Sequence, residues 1–196
     1  MQQKLTADEQ STLLRLAREA LESAVKGQQV APLDFSALTP SLREEGVSFV
    51  TLTVHGQLRG CIGALEPSQP LAEDVREHAI AAAFKDPRFP PVQEEELNSI
   101  KIEVSRLTRP TSLEYEDANE LLSKLRPHVD GVILQEGPYH RATFLPQVWE
   151  KIPDPAEFLR NLCYKMGADP NLWRWQHLDV LVYQVEEFHE SPQALN

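Results

Sequence analysis

Leu58-Arg59-Gly60-Cys61-Ile62-Gly63 sets a guanidinium, a thiol and two glycines inside a stretch whose flanks are otherwise strand-forming. A cysteine attacks only as its thiolate, and a nearby cation favours that form. Cys61 is therefore the candidate nucleophile, or carrier of an electrophilic group, and Arg59 its activating partner or the anchor for an anion. Glycine in a strand marks the close approach of another backbone or a ligand, so Gly60 and Gly63 admit either tight packing or a route to the sulfur. Two other readings of Cys61 stand beside catalysis: a small hydrophobe packed in a strand, and a redox or ligand sensor.

Three more polar residues join the candidate site. Asp86 and Arg88, in Asp86-Pro87-Arg88-Phe89-Pro90-Pro91, either pair to stiffen a proline-locked turn or present a substrate carboxylate or phosphate to the loop. Glu103 lies on the polar side of an alternating segment, where it can serve as the carboxylate that a buried Arg59 requires or as a general base. His78 falls on an apolar helical stripe and reads as a hydrogen-bonded core histidine rather than a catalyst. The other histidines lack the i, i+4 pairing of a helical zinc site, and Cys61 and Cys163 are too far apart in sequence for a zinc knuckle, so no metal is expected. Without a Walker loop or a G-x-G-x-x-G turn, no cofactor is expected either. Trp173-Arg174-Trp175 offers aromatic stacking, with edge packing under the last strand as the simpler account.

Composition bounds the partners. The chain has 196 residues, is 41% hydrophobic and carries a formal charge of -11, which suits a globular protein and repels phosphate backbones and anionic membranes. Nucleic acid is disfavoured as a ligand on these grounds, and no stretch approaches the ~20 apolar residues of a membrane span. Two separated cysteines argue against a disulfide framework, so a cytoplasmic location, with both thiols reduced, is expected. The expected oligomeric state is a monomer or weak homodimer.

The elements that must position these residues follow from pattern. Thr6-Ala7-Asp8-Glu9 is a capping box opening a helix that Gly27 ends, with Leu13, Leu16, Ala17, Ala20 and Leu21 on its packing face. Val47–Val54 and Gln57–Leu65 flank His55-Gly56 as a hairpin with a two-residue turn. The turn alone sets Leu52 opposite Arg59, Val50 opposite Cys61, Thr51 opposite Gly60 and Phe49 opposite Ile62. A helix runs from Pro70 to Lys85, and Ile100, Ile102 and Val104 alternate with Lys101, Glu103 and Ser105 as a half-buried strand. Further along, Leu113–Leu125 is helical, Gly131–Leu145 forms a second hairpin, and Asp154-Pro155 starts a helix that Gly167 ends. Asp179–Phe188 makes a last strand before a frayed tail from Glu190. The fold class is α+β: a central, mostly antiparallel sheet flanked by helices, with a smaller second α+β subdomain. Residues 1–196 form one domain of two intimately packed subdomains, with a core from about 6 to 188.

Taken in order, Leu58–Gly63, Asp86-Pro87-Arg88-Phe89, Ile102-Glu103-Val104-Ser105, Asp130-Gly131-Val132-Ile133-Leu134 and Thr143–Trp149 resemble the AMMECR domain family, which includes the protein A component of the AmmeMemoRadiSam system. The resemblance implies a two-part α+β fold and genetic association with a Memo-type protein and a radical-SAM protein. It also implies that Arg59 and Cys61, in the family's six-residue motif, are the suspected functional centre. Cys163 has no counterpart in that pattern. Two functions follow as expectations: a component of a modification pathway with its site around Cys61 and Arg59, or a non-catalytic adaptor that docks the Memo-type or radical-SAM partner.

Overall fold

Thr6 begins the first helix as its sequence requires: Thr6 Oγ1 accepts from the Glu9 N–H at 3.2 Å, and Glu9 Oε2 accepts from the Thr6 N–H at 2.8 Å. The structure, a computed structural model, describes residues 4–137 and 140–190. In chain order it contains α1 (Ala7–Val25), the short α2 (Pro40–Arg43), the hairpin β1 (Val47–Val54) and β2 (Gln57–Gly63), α3 (Leu71–Phe84) and β3 (Ile100–Leu107). There follow β4 (Thr111–Ser112), α4 (Ala118–Lys124), β5 (Gly131–Glu136), β6 (His140–Phe144), α5 (Pro155–Met166), β7 (Asp179–Tyr183) and β8 (Val185–His189). Two four-stranded sheets result, ordered β2-β1-β3-β8 and β4-β7-β5-β6. The paired strands are antiparallel, as the α+β reading expects.

The chain divides into two units, 4–107 with 186–190, and 108–185. In the first, Val50, Leu52, Ile102 and Val104 turn one face of the sheet toward Leu13, Ala17 and Leu21 of α1 and Leu71, Val75, Ala79 and Ala82 of α3. The alanines of α3 let the helix lie close to the strands. Asp74, at 1% exposure, ties α3 to β1: its Oδ2 accepts from the Ser48 N–H at 2.8 Å and from Ser48 Oγ at 2.6 Å, with His78 Nδ1 at 3.1 Å. His78 is thus the hydrogen-bonded core histidine its pattern implies. Glu190, expected to begin a frayed tail, is instead gripped by Arg18 through Nε at 2.9 Å and Nη2 at 2.5 Å. The rest of that tail and Pro138-Tyr139 of the second hairpin lie outside the described residues.

The second unit is built on Trp149, fully buried and stacked on Phe158 with ring centroids 3.6 Å apart. Cys163 is fully buried in the same cluster, and that burial pushes its thiol pKa up. Trp173 is buried there too, Arg174 lies 4.3 Å over its ring, and Trp175 is exposed. Two element boundaries differ from expectation. The helix expected from Leu113 starts at Ala118, because Thr111 and Ser112 pair with β7 and Asp117 caps the helix by accepting from the Asn119 and Glu120 N–H groups at 2.8 and 2.9 Å. The single last strand is two strands in different sheets. The break falls at Gln184, where hydrogen bonds of 2.8 Å tie its N–H to Thr108 Oγ1 and its carbonyl to the Thr108 N–H.

The hairpin turn is the two-residue one expected, with His55 and Gly56 both at positive φ (51° and 78°), as a type I′ turn demands. Its register is not. Val54 opposes Gln57 and Thr53 opposes Leu58, but the pairing then slips: Leu52 opposes Gly60, Thr51 opposes Cys61, Val50 opposes Ile62 and Phe49 opposes Gly63. Arg59 is the extra residue of a β-bulge. A one-residue slip sends every later side chain to the other face, so Cys61 leaves the face of buried Val50 and joins Thr51. The cause is packing that a turn rule does not contain. Gly60 lands under α3, where a Cβ would meet the Ala82 carbonyl oxygen at 2.1 Å, and Ile62 packs against the core beside Val50.

Candidate functional site: the thiol edge of the first sheet

β2 is an edge strand, and a hook from the turn after α3 occupies its outward backbone at Cys61. Asp86 Oδ2 accepts from the Cys61 N–H at 2.9 Å, while Arg88 Nη2 reaches the Cys61 carbonyl at 3.5 Å. Arg88 holds Asp86 in a fork, Nε to Oδ1 at 2.9 Å and Nη2 to Oδ2 at 2.6 Å, and the Arg88 N–H adds 3.1 Å to Oδ1. The Asp86 side chain is 2% exposed and that of Arg88 55%. Pro87 keeps Asp86 out of helical geometry and so ends α3 where the hook must begin. Hydrogen bonding from Arg88, above all, and from the Cys61 and Arg88 N–H groups holds the Asp86 carboxyl far below the usual aspartate range despite its burial. The Arg88 guanidinium is correspondingly held protonated, first by its hydrogen bonds to Asp86, with smaller electrostatic contributions from Asp86 and Cys61.

On the sheet face turned away from α1 and α3, Thr51 stands between Cys61 on β2 and Glu103 on β3. Thr51 Oγ1 donates to Cys61 Sγ at 3.2 Å. Glu103 shares this row two strand spacings from Cys61, each of about 4.8 Å. That is too far for direct proton transfer, and the Thr51 hydroxyl lies between them.

Glu103 is not the partner of Arg59. That role belongs to Glu96, which accepts from Arg59 Nε at 2.7 Å and Nη2 at 3.0 Å, while Nη1 donates to the Pro90 carbonyl at 3.0 Å. These hydrogen bonds hold the Glu96 carboxyl below its ordinary pKa. Read from sequence, Glu94-Glu95-Glu96 is a solvated turn. The overlooked signal is Gln93 three residues ahead of Glu96: the Glu96 carboxylate accepts from the Gln93 N–H at 2.8 Å, and this capping box turns Glu96 back toward the strand. Arg59 and Arg88 lie 6.0 and 5.6 Å from the centre of the Phe89 ring.

Cys61, Asp86 and Arg88 are thus brought into contact, Glu103 is placed on the same row, and Arg59 is joined to the same turn through Pro90. Both motif glycines are closely covered. A Cβ on Gly63 would meet the Phe49 ring at 2.4 Å and the Ser48 carbonyl at 2.5 Å, as one on Gly60 would meet α3. No cluster of three or more His, Cys, Asp or Glu able to hold a metal occurs among the described residues. No helix among them is long and apolar enough to cross a membrane.

The AMMECR1 family model matches residues 14–188. The chain belongs to the AMMECR1 family. A protein of Methanothermobacter thermautotrophicus is 42% identical over 192 residues, 95% of this chain and 97% of the relative. Protein MK0488 of Methanopyrus kandleri is 39% identical over 203 residues, covering 97% and 93% of the two chains. Among solved structures, the uncharacterized protein PH0010 of Pyrococcus horikoshii superposes with a TM-score of 0.76 at 36% identity, over 95% of this chain and 94% of that one. That solved structure shares the α+β architecture described above.

Proposed function

We propose that the β2 edge at Cys61 is a thiol-centred site for an anionic substrate, and that through it the chain acts in a modification pathway with Memo-type and radical-SAM proteins. One observation carries the reading. The half-exposed Arg88 guanidinium is clamped beside Cys61 by Asp86, and its Nη1 has no partner among the described residues. In this reading Arg88 anchors the anion rather than Arg59, whose fork Glu96 fills. Thr51 stabilises negative charge on the sulfur through its hydroxyl, and Glu103, opposite Thr51 on β3, is the candidate general base on the same row.

Paired alkylating reagents test this directly. Native protein is treated with iodoacetate or iodoacetamide and both cysteines are followed by mass spectrometry. Cys61 is expected to react while Cys163 stays silent until unfolding, with a preference for the anionic reagent that exceeds that of free cysteine. Arg88→Gln is expected to remove the preference and Arg88→Lys to retain part of it. A Cys61 that is silent in the native state, or that shows no such preference, overturns the reading.

Leu58, which opens the motif, and Leu65, two residues past its end, are 42% and 43% exposed and favour a second reading in which the same edge docks the Memo-type or radical-SAM partner without chemistry. A stoichiometric complex that survives Cys61→Ser, with pathway output undiminished, selects this adaptor role over the thiol site.

A further inference from the structure

Arg76 is 7% exposed and its guanidinium is incompletely paired. Four other arginines, Arg18, Arg59, Arg88 and Arg126, each have a carboxylate accepting from both Nε and Nη2. Arg76 has no such fork. Nη1 reaches Glu73 at 3.3 Å, a side chain itself 42% exposed, Nη2 donates to the Ala31 carbonyl, and Nε–H has no partner among the described residues. The Glu73 pair and the Ala31 carbonyl use Nη1 and Nη2, which leaves the Nε edge of a largely buried cation able to take an anion.

The space for one adjoins it. Arg76 lines a cavity of about 300 Å³ between α1 and the segment 30–38, at the small end of the range for ligand pockets. Leu16, Ala20, Val30 and Leu33 supply apolar wall, and Arg15 stands at the rim paired with Glu19 at 2.8 Å. Glu19 and Asp34 also line the cavity, and their charge disfavours a multiply charged phosphate more than a single carboxylate.

We propose that this cavity binds a small monocarboxylate with a hydrocarbon body, its carboxylate gripped by Arg76 and its chain laid along Leu16, Ala20 and Leu33. The site is separate from the thiol edge and does not depend on the role of Cys61. Hexanoate serves as the probe, with hexanamide as its neutral analogue and inorganic phosphate as the alternative anion, followed by amide chemical shifts of the full chain. Saturable hexanoate binding is expected, with shifts centred on residues 12–23 and 30–38, much weaker hexanamide binding and none for phosphate. Arg76→Gln is expected to weaken hexanoate binding about tenfold to a hundredfold, the loss typical of a charge-assisted pair. Because that variant unpairs Ala31 as well, Ala37→Phe gives an independent check: it adds bulk to the cavity lining at an exposed position and leaves Arg76 unaltered, and binding is expected to fall comparably. Absence of saturable hexanoate binding by the unaltered chain overturns the proposal. So does equal binding of hexanoate and hexanamide, binding of phosphate in place of hexanoate, or hexanoate affinity unchanged by Ala37→Phe.

Discussion

Thr51 Oγ1 donates a hydrogen bond of 3.2 Å to Cys61 Sγ, a contact that exists only because β2 carries a bulge at Arg59. In an unbulged hairpin Cys61 would face the core beside Val50 and Thr51 would have no sulfur within reach. The bulge therefore decides which face of the sheet carries the thiol, and it sets Cys61, partly buried, on the face turned away from Val50.

Thr51→Val tests the consequence for reactivity. Valine keeps the β-branched shape of threonine and its strand preference, so stability is expected to change little. The loss falls on the thiolate, which no longer accepts the hydroxyl. Alkylation of Cys61 at fixed pH is expected to slow by roughly threefold to tenfold, less than a fully buried charge-assisted bond would give because Cys61 is only partly buried. The check is the second-order rate constant with iodoacetamide. An unchanged rate means that Thr51 does not act on the sulfur.

Much of this arrangement is legible from residue types alone. The capping box at Thr6, the turn at His55-Gly56 and the Asp86–Arg88 pair depend on residues near in sequence, and each follows from local rules. The register of β2 does not. It depends on the Ala82 carbonyl of α3 pressing on Gly60, a contact between elements that no turn rule includes. The partner of Arg59 is Glu96 rather than the expected Glu103 for the same reason. Glu103 has the right strand and Glu96 the right position, and position depends on how the Pro90-Pro91 segment folds back to β2. The split of the last strand at Gln184 likewise depends on Thr108, distant in the chain.

The two motif glycines separate packing from substrate approach. Gly60→Ala forces a Cβ against a backbone carbonyl that cannot move without displacing α3, and a loss of about 1–3 kcal/mol is expected. Gly63→Ala meets the Phe49 ring and the Ser48 carbonyl, with a cost of similar size. Gly56→Ala has open space around it, and only its φ of 78° opposes the change, at about 1 kcal/mol. Denaturant midpoints of the three variants check this order. A stable Gly60→Ala protein that loses only ligand binding would show that this glycine serves an approach route.

The Asp86 clamp gives the fold an acid-sensitive contribution with a definite sign. Its folded pKa is depressed, so the stability it adds is present above the unfolded value, about 4 for aspartate, and is lost as pH falls through the depressed native value. Asp86→Asn removes this term and weakens the hold on Arg88. The difference in melting temperature between the unaltered chain and Asp86→Asn is expected to be largest near neutral pH and to shrink steadily below about pH 4. A difference that stays constant down to pH 2 or so, or grows, contradicts the assignment of the shift to this carboxylate.

Asp74 is the strut between β1 and α3, and through β1 it positions the row that carries Thr51. Its Oδ2 takes both donors of Ser48 within the buried core and lies 3.1 Å from Nδ1 of the partly buried His78. Asp74→Ala leaves the Ser48 N–H and hydroxyl unsatisfied where no water reaches them, so a loss of about 2–4 kcal/mol is expected. Ser48→Ala removes one donor and keeps the backbone bond, at a cost nearer 1 kcal/mol. A double-mutant cycle between these two positions, read from denaturant unfolding, should give a coupling of about 1 kcal/mol. Because Ser48 adjoins Phe49, the ring that covers Gly63, loosening this strut is also expected to raise the alkylation rate of Cys61 nonspecifically, for iodoacetate and iodoacetamide alike. That signature distinguishes a disturbed strand from a lost anion anchor, which alters only the ratio of the two reagents.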